Sequence, residues 1–252
     1  MSIYFVGAGP GDPELLTVKA QGLLSRADCC IWAGSLVNPQ ILQILPTHAE
    51  VHDSSAMTLA EIVETMMVAD KNRQCVVRLH TGDPSIFSAI GEQMDALCAQ
   101  GVPFEIVPGI SAFQGAAAAM KVELTRPELT QTVVLTRTPG RTPMPETEAI
   151  EHFARTGATL CLYLSVGQIA KLAYRLRPFY GEMCPAAVIY RATWPDELVL
   201  RGNLSNIAWL ATSSQITRTA LVMVGWAIEG NRSPSRLYSS NFSHQFRKSE
   251  SQ

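Results

Sequence analysis

Twice in this chain an apolar run ends in Gly-Asp-Pro. Ile3-Tyr4-Phe5-Val6 leads into Gly7-Ala8-Gly9-Pro10-Gly11-Asp12-Pro13, and Val76-Val77-Arg78-Leu79-His80 leads into Thr81-Gly82-Asp83-Pro84. Glycine lets the backbone turn or approach a ligand closely, proline fixes φ and removes a donor, and aspartate caps a helix or holds a polar group. A third turn, Pro108-Gly109-Ile110-Ser111-Ala112, closes the run Phe104-Glu105-Ile106-Val107. The chemistry these residues suit is capture of a polar small molecule by main-chain groups, in one pocket built from several strand ends. One such turn alone is equally a structural strand-to-helix connection; the repetition favours a ligand.

Gly7-x-Gly9-x-x-Asp12 departs from the dinucleotide fingerprint Gly-x-Gly-x-x-Gly at its third glycine. The next apolar run ends in Ala33-Gly34-Ser35, with no carboxylate for a ribose diol. No Gly-Lys-Ser/Thr phosphate loop is present. Asp83 reads as the cap of Ser85-Ile86-Phe87, as a ligand to a hydroxyl or amine, or as both. His80, three residues earlier, is a base or a strand-end residue. His48 and His52 have the i, i+4 spacing of a helical metal pair, but Pro46 and the β-type context oppose a helix and no third ligand follows, so no metal is expected. The richest polar segment is Leu135 to Glu146, which carries Arg137 and Arg141, with Arg126 shortly before it. Its prolines stiffen a long loop, and its guanidiniums offer forked donors suited to carboxylates; the other reading is an ordinary solvated loop.

These turns need strands to carry them and helices to cover them. Leu16, Ala20, Leu23, Leu24 and Ala27 recur at helical spacing, Cys29 to Ala33 reads as a strand, and Leu59 to Met67 as a helix. Ile90, Met94, Leu97 and Cys98 mark a third helix, and an alanine-rich helix includes Ala116 to Met120. Strand and helix in alternation predict an α/β fold with a mainly parallel sheet, ligand at the carboxyl ends of the strands. The pattern loosens between Glu123 and Glu146, which places a domain boundary near Met120 to Thr130. We expect an N-terminal domain over 1–122, a C-terminal domain over 123–230 and a tail over 231–252. In the second domain, Leu160 to Leu164, Ala187 to Tyr190, Glu197 to Arg201 and Ala220 to Gly225 read as strands joined too closely for helix crossovers throughout, so its sheet should be mixed.

The 252 residues are 47% hydrophobic and 17% charged with a formal charge of -2, globular values that give no reason to expect nucleic acid. No run approaches the ~20 apolar residues of a membrane helix, and the apolar start breaks at Gly7, so a cytoplasmic protein is expected. The cysteines at 29, 30, 75, 98, 161 and 184 form no Cys-x-x-Cys and read as buried free thiols.

Together these residues resemble the tetrapyrrole methylase family, enzymes that use S-adenosylmethionine to methylate the macrocycle on the way to sirohaem and cobalamin. Gly-x-Gly-Pro-Gly-Asp-Pro-x-Leu-Leu-Thr stands intact from Gly7 to Thr17, and the two later turns follow at the family's spacing over nearly the whole chain. The resemblance implies two α/β/α domains with the active site in the cleft between them, and a homodimer. Segments Trp32 to Val37, Gly140 to Glu146 and Ser235 to Tyr238 are similar to the branch that methylates C-11 of precorrin-4 or its cobalt form. The family's cofactor contacts fall on Pro10, Thr81, Gly82, Asp83, Ile86, Ser111, Ala112, Leu164 and Ala192, many acting through the backbone. Arg126, Arg137, Arg141 and Arg191 become candidates for gripping the acetates and propionates of the precorrin. Two departures stand out: the branch acting on uroporphyrinogen has an aspartate proton acceptor where this chain has Ala33, and an arginine where it has Ala89. No catalytic base is therefore named. Methylation at another precorrin position, a nucleotide-dependent oxidoreductase and a tetrapyrrole carrier are the competing readings. The polar tail is open, with Leu237, Tyr238 and Phe242 able to dock on a partner.

Overall fold

The computed structural model describes residues 3–229 except Arg141, together with Ser243 and Gln245; the side chain of Ser35 is left out. Arg141 and the tail segment with Leu237, Tyr238 and Phe242 lie outside the described residues. By its internal packing the chain separates into two units, Met1–Ala119 with Ile189–Val199, and Met120–Val188 with Leu200–Gln252.

The first unit contains β1 (Ile3–Gly7), α1 (Val18–Leu24), β2 (Cys29–Trp32), β3 (Glu50–Asp53), α2 (Leu59–Lys71), β4 (Val76–His80), α3 (Gly91–Ala99) and β5 (Phe104–Val107). α4 (Ala112–Met120) follows. Among the described residues the sheet runs β3-β2-β4-β1-β5, every adjacent pair parallel. The inner strands β1, β2 and β4 are buried along nearly their whole length because both faces of the sheet are covered there. Val6, Cys30, Val77 and Leu79 pack with Leu23 and Leu24 of α1, while Ile3, Phe5, Ile31 and Val76 pack with Met66 of α2 and Leu97 of α3. Each such buried aliphatic side chain contributes about 1.5–3 kcal/mol. α2 begins at a capping box: Thr58 Oγ1 accepts from the Glu61 N–H, and the Glu61 carboxylate accepts from the Thr58 N–H.

The His48 to His52 segment leads into the edge strand β3 rather than a helix, and its imidazoles diverge to separate partners. His48 reaches Asp28 at 3.1 Å, and His52 lies 3.8 Å from Glu50. The valine-centred period-2 pattern of Glu50–Asp53 was too short to separate it from a loop by sequence alone.

In the second unit and the segment that interrupts it lie β6 (Val133–Arg137), α5 (Ile150–Ala154), β7 (Thr159–Tyr163), α6 (Ile169–Tyr180), β8 (Pro185–Tyr190) and β9 (Leu198–Asn203). α7 (Ile207–Ser213) and β10 (Ala220–Val224) complete them. The strand order is β6-β7-β10-β8-β9, with β6 parallel and β10 antiparallel to β7, the mixed sheet that the short connections predict. Leu160, Leu162, Leu176, Val188 and Val222 are buried. The Tyr180 hydroxyl donates to the Ala158 carbonyl at 2.6 Å.

Five of the six cysteines are buried free thiols, while Cys98 is exposed. Burial pushes the thiols of Cys29 up to about 11 and Cys161 up to about 12, so neither is a nucleophile near neutrality. No helix among the described residues is long and apolar enough to cross a membrane.

Candidate functional site

The three turns singled out by sequence leave the carboxyl ends of β4, β1 and β5, three neighbouring strands of one parallel sheet. They touch through backbone. Gly9 and Gly82 form an antiparallel bridge, the Gly82 N–H donating to the Gly9 carbonyl at 2.8 Å and the Gly9 N–H to the Gly82 carbonyl at 3.2 Å. Both glycines have positive φ, 73° and 63°. A Cβ on Gly7 would stand 2.7 Å from both the Gly109 Cα and the Gly82 carbonyl oxygen, and one on Gly109 would collide with that same oxygen. Glycine at 7 and 109 is thus required by approach distance, not by turn geometry.

Asp83 fastens two of these turns. One carboxylate oxygen accepts from the Gly109 N–H at 2.9 Å, the other from the Ser85 N–H at 2.8 Å and from the Ser85 hydroxyl. Its burial opposes ionisation, but the Ser85 and Gly109 hydrogen bonds outweigh that and hold its carboxyl below the usual range. The segment it caps is a turn; α3 starts only at Gly91. Between them Phe87 and Ala89 are held at φ 54° and 50°. A Cβ on Gly82 would stand 3.6 Å from both Ser111 Cα and the Ala112 nitrogen, so the Thr81-Gly82-Asp83 turn meets Ser111 and Ala112 where α4 begins. Ser111 is buried, and its N–H donates to Gln114 Oε1 at 2.9 Å. Ile86 is half-buried in the same turn, its N–H on the Asp83 carbonyl at 3.2 Å.

Beneath this junction lies a polar support. Arg78, 5% exposed, donates from Nε to Gln93 Oε1 at 3.1 Å and from Nη1 to the Ile31 carbonyl at 3.2 Å, while Gln93 Nε2 donates to the Ala89 carbonyl at 3.1 Å. Burial lowers the guanidinium pKa to about 10. His80 is 3% exposed and its Nε2 has no hydrogen-bond partner. Burial first, then the positive charge of Arg78, pushes its pKa down to about 3, so it is neutral and enclosed, unsuited to proton exchange with a ligand.

Residues distant in sequence complete the first turn. Pro10 is buried, and its carbonyl accepts from Trp194 Nε1 at 3.0 Å. Asp12 N–H donates to Thr193 Oγ1 at 2.9 Å. Ala192, 8% exposed, lies between Arg191 and Thr193, which hold positive φ of 45° and 68°. Trp194 escaped the sequence reading, because a contact spanning 184 residues leaves no periodicity or motif spacing behind.

In the second unit Leu164 ends β7 at φ 52° and 73% exposed. A leucine held in a left-handed conformation costs about 1–3 kcal/mol. The next residue fixes it: Ser165 Oγ accepts from the Thr138 N–H at 2.9 Å and donates to the Tyr163 carbonyl at 2.7 Å.

The arginines divide. Arg137 is spent on its own loop, donating to the carbonyls of Pro143 at 2.7 Å and Thr142 at 3.3 Å. Arg191 pairs with Asp196 at 2.6 Å and stacks over the rings of Trp194 and Tyr190, its Nε buried without a partner. Arg126 has a buried Nη1 with no hydrogen-bond partner. At Ala33, where a proton-accepting aspartate would otherwise stand, the neighbouring Gly34 has the Asp53 carboxylate of β3 packed against it, already accepting from the Ser55 N–H.

Comparison with known proteins extends this geometry. The family described as Tetrapyrrole (Corrin/Porphyrin) Methylases matches residues 2–208. The chain is 45% identical to the cobalt-precorrin-4 C(11)-methyltransferase of Methanocaldococcus jannaschii over 98% of this chain and 96% of that one. It is 44% identical to the precorrin-4 C(11)-methyltransferase of Pseudomonas aeruginosa over 99% and 100%. Its fold superposes on a crystal structure of the cobalamin biosynthetic enzyme cobalt precorrin-4 methyltransferase, CbiF, with a TM-score of 0.88 at 42% identity, covering 90% of this chain and 95% of that one. The uroporphyrin-III C-methyl transferase of Thermus thermophilus, solved in complex with S-adenosylhomocysteine, superposes with a TM-score of 0.77 at 27% identity, covering 92% and 100%.

Proposed function

Because the chain belongs to the tetrapyrrole methylase family, we propose that it transfers a methyl group from S-adenosylmethionine to C-11 of precorrin-4 or cobalt-precorrin-4 during corrin-ring assembly. The observation that carries this reading is the backbone junction of the β1, β4 and β5 turns, in a chain that aligns end to end with relatives named for that reaction.

The residues suit the cofactor. None of the three turns carries a lysine or arginine, while two carry an aspartate, and a surface of main-chain donors and acceptors with no positive side chain accepts a ligand whose reactive group is a cation. Pro10, Thr81, Gly82, Asp83, Ile86, Ser111, Ala112, Leu164 and Ala192 would hold it. When bound, S-adenosylmethionine supplies an electrophilic sulfonium methyl that a nucleophilic carbon takes by in-line displacement, leaving S-adenosylhomocysteine. The chain's part is orientation: the interlocked turns hold their main-chain groups without reorganisation, and alignment of this kind can supply about 7–11 kcal/mol of barrier reduction. The buried neutral imidazole of His80 and the engaged carboxylates of Asp83 and Asp53 leave positioning as the role these residues can perform.

For the macrocycle we assign Arg126 as the first grip on a carboxylate, its Nη1 having no hydrogen-bond partner, with Arg191 and Arg141 as further candidates and Arg137 shaping its own loop. Domains over 1–122 and 123–230, a cytoplasmic location and a homodimer belong to the same reading, the last from the family alone.

The test is incubation with methyl-labelled cofactor and each macrocycle, metal-free and cobalt-bearing, followed by mass measurement and mapping of the labelled carbon. One added methyl at C-11 is expected. A label at another carbon would move the protein to a different branch, and a macrocycle bound but never methylated would make it a carrier. Calorimetric titration with S-adenosylhomocysteine should saturate; binding of NAD or FAD in its place would sink the methylase reading.

A further inference from the structure

The turn after β8 returns to the first unit and locks onto the first glycine turn through one side chain. Trp194 lies against Gly11: a Cβ there would fall onto Cδ1 and Nε1 of the indole and stand 2.9 Å from Cγ. The indole N–H donates to the Pro10 carbonyl at 3.0 Å, and the Arg191 guanidinium sits 4.8 Å from the ring centroid, itself paired with Asp196. On either side of the ring further bonds close the same contact. Asp12 N–H donates to Thr193 Oγ1, Thr193 N–H donates to Glu197 Oε2 at 2.6 Å, and the Trp194 N–H donates to the Arg191 carbonyl at 3.0 Å. Behind Pro10 a Cβ on Gly115 of α4 would stand 2.7 Å from the proline Cβ and 3.5 Å from the Thr193 methyl, so α4 backs both segments.

Nothing in this arrangement is needed to close the sheet of β1, β4 and β5, whose hydrogen bonds are complete without it. What it does fix is the placement of the Pro10 turn against the Arg191 to Trp194 turn, which carries Ala192. The strain at Arg191 and Thr193 means the turn would relax to other conformations if released. A cation over an indole and an indole N–H on a carbonyl both weaken steeply with displacement.

We propose that Trp194 is a positioning residue for the cofactor: seated on Gly11, it holds the Pro10 and Ala192 walls of the site at a fixed separation. This rests on the reading that Pro10 and Ala192 border S-adenosylmethionine. Trp194 need not touch the reacting atoms. Its removal should cost affinity for the cofactor rather than the rate at which a saturated complex reacts.

The experiment compares Trp194→Ala, Trp194→Phe and Gly11→Ala with the wild-type chain. The readouts are the Kd for S-adenosylhomocysteine by calorimetry, the kcat and KM for S-adenosylmethionine, and the thermal midpoint. Trp194→Ala and Gly11→Ala should each raise the Kd and the cofactor KM at least tenfold while kcat at saturation falls less than threefold. Trp194→Phe keeps the ring and loses the donor, so a three- to tenfold rise is expected and partial rescue relative to alanine. Trp209→Phe on α7, an exposed residue, is the control and should leave Kd within twofold. Affinity in Trp194→Phe and Gly11→Ala within twofold of wild type overturns the proposal, as does a loss confined to kcat. If Trp194→Ala fails to fold, those two variants decide. Failure of the wild-type chain to bind S-adenosylhomocysteine would instead refute the cofactor reading on which the proposal stands.

Discussion

At the carboxyl ends of β1, β4 and β5, polar groups are placed by main chain against main chain, with Gly7 and Gly109 packed on the Gly82 carbonyl too closely for any side chain. In the loop after β6 they are placed by a long side chain, Arg137, reaching back to the carbonyls of Thr142 and Pro143. The first arrangement tolerates no added atom and loses little entropy on binding. The second depends on ordering a side chain with four rotatable bonds. Under the proposed function, the contrast matches what each would recognise: a small donor held to near-attack precision, and a large polycarboxylate that several guanidiniums can share.

The sharpest way to break that contrast is to add one carbon to the junction. Gly109→Ala drives a methyl into the Gly82 carbonyl and should cost about 3 kcal/mol, lower the thermal midpoint by roughly 6–12 °C and abolish S-adenosylhomocysteine binding. A midpoint and Kd within error of wild type would show that the turns are not interlocked. Asp83→Ala releases the Gly109 and Ser85 donors; about 1–3 kcal/mol of stability and at least tenfold in cofactor affinity should be lost, with the macrocycle KM changed less. Chemical denaturation and calorimetry read both.

On the arginine side the expected effects are smaller and of the opposite selectivity. Arg126→Ala should raise the macrocycle KM roughly fivefold, the equivalent of ~1 kcal/mol of a charge-assisted hydrogen bond, and leave the Kd for S-adenosylhomocysteine unchanged. Arg137→Lys keeps the charge but cannot span two carbonyls with a fork. It should therefore show most of the twofold to threefold KM effect expected of Arg137→Ala, whereas a macrocycle grip by charge alone would be rescued by lysine.

A last prediction concerns the support under the junction. The folded His80 imidazole has its pKa pushed down to about 3, against ~6.5 in an unfolded chain. Between those values the unfolded state binds a proton that the folded state does not, so stability is full above about pH 6.5 and falls as the pH drops towards 3. Urea denaturation from pH 7 to 4 should show this fall, with a limiting slope of about 1.4 kcal/mol per pH unit for the one group. His80→Leu should flatten that contribution. An unchanged slope in the variant would place the acid sensitivity elsewhere.

Much of the junction of the three turns was legible in the chain because its determinants are local. Gly-Asp-Pro after an apolar run forces a turn at a strand end, and a parallel sheet brings those ends to one edge. The role of Asp83 was less so: a cap was expected for a helix, whereas the carboxylate ties Ser85 to Gly109, 26 residues away. The arginine loop was legible as a polar, proline-stiffened segment but not in its division of labour. Which guanidinium faces its own loop depends on where the chain turns back, and Arg137 and Arg126 look alike in sequence.

Composition, periodicity and the three turns by themselves determined an α/β chain with a parallel N-terminal sheet, a mixed second sheet and a binding edge rich in backbone groups. Those features follow from φ/ψ limits and from the burial of alternating or continuous apolar runs, which act within a few residues. Tertiary structure alone decided that β4 and β5 flank β1, that Gly109 meets the Gly82 carbonyl, and that Trp194 closes on Gly11. Each of those is an approach between chain segments that are far apart in sequence, fixed by the packing of whole elements, and nothing in the local residue pattern encodes the distance at which they meet.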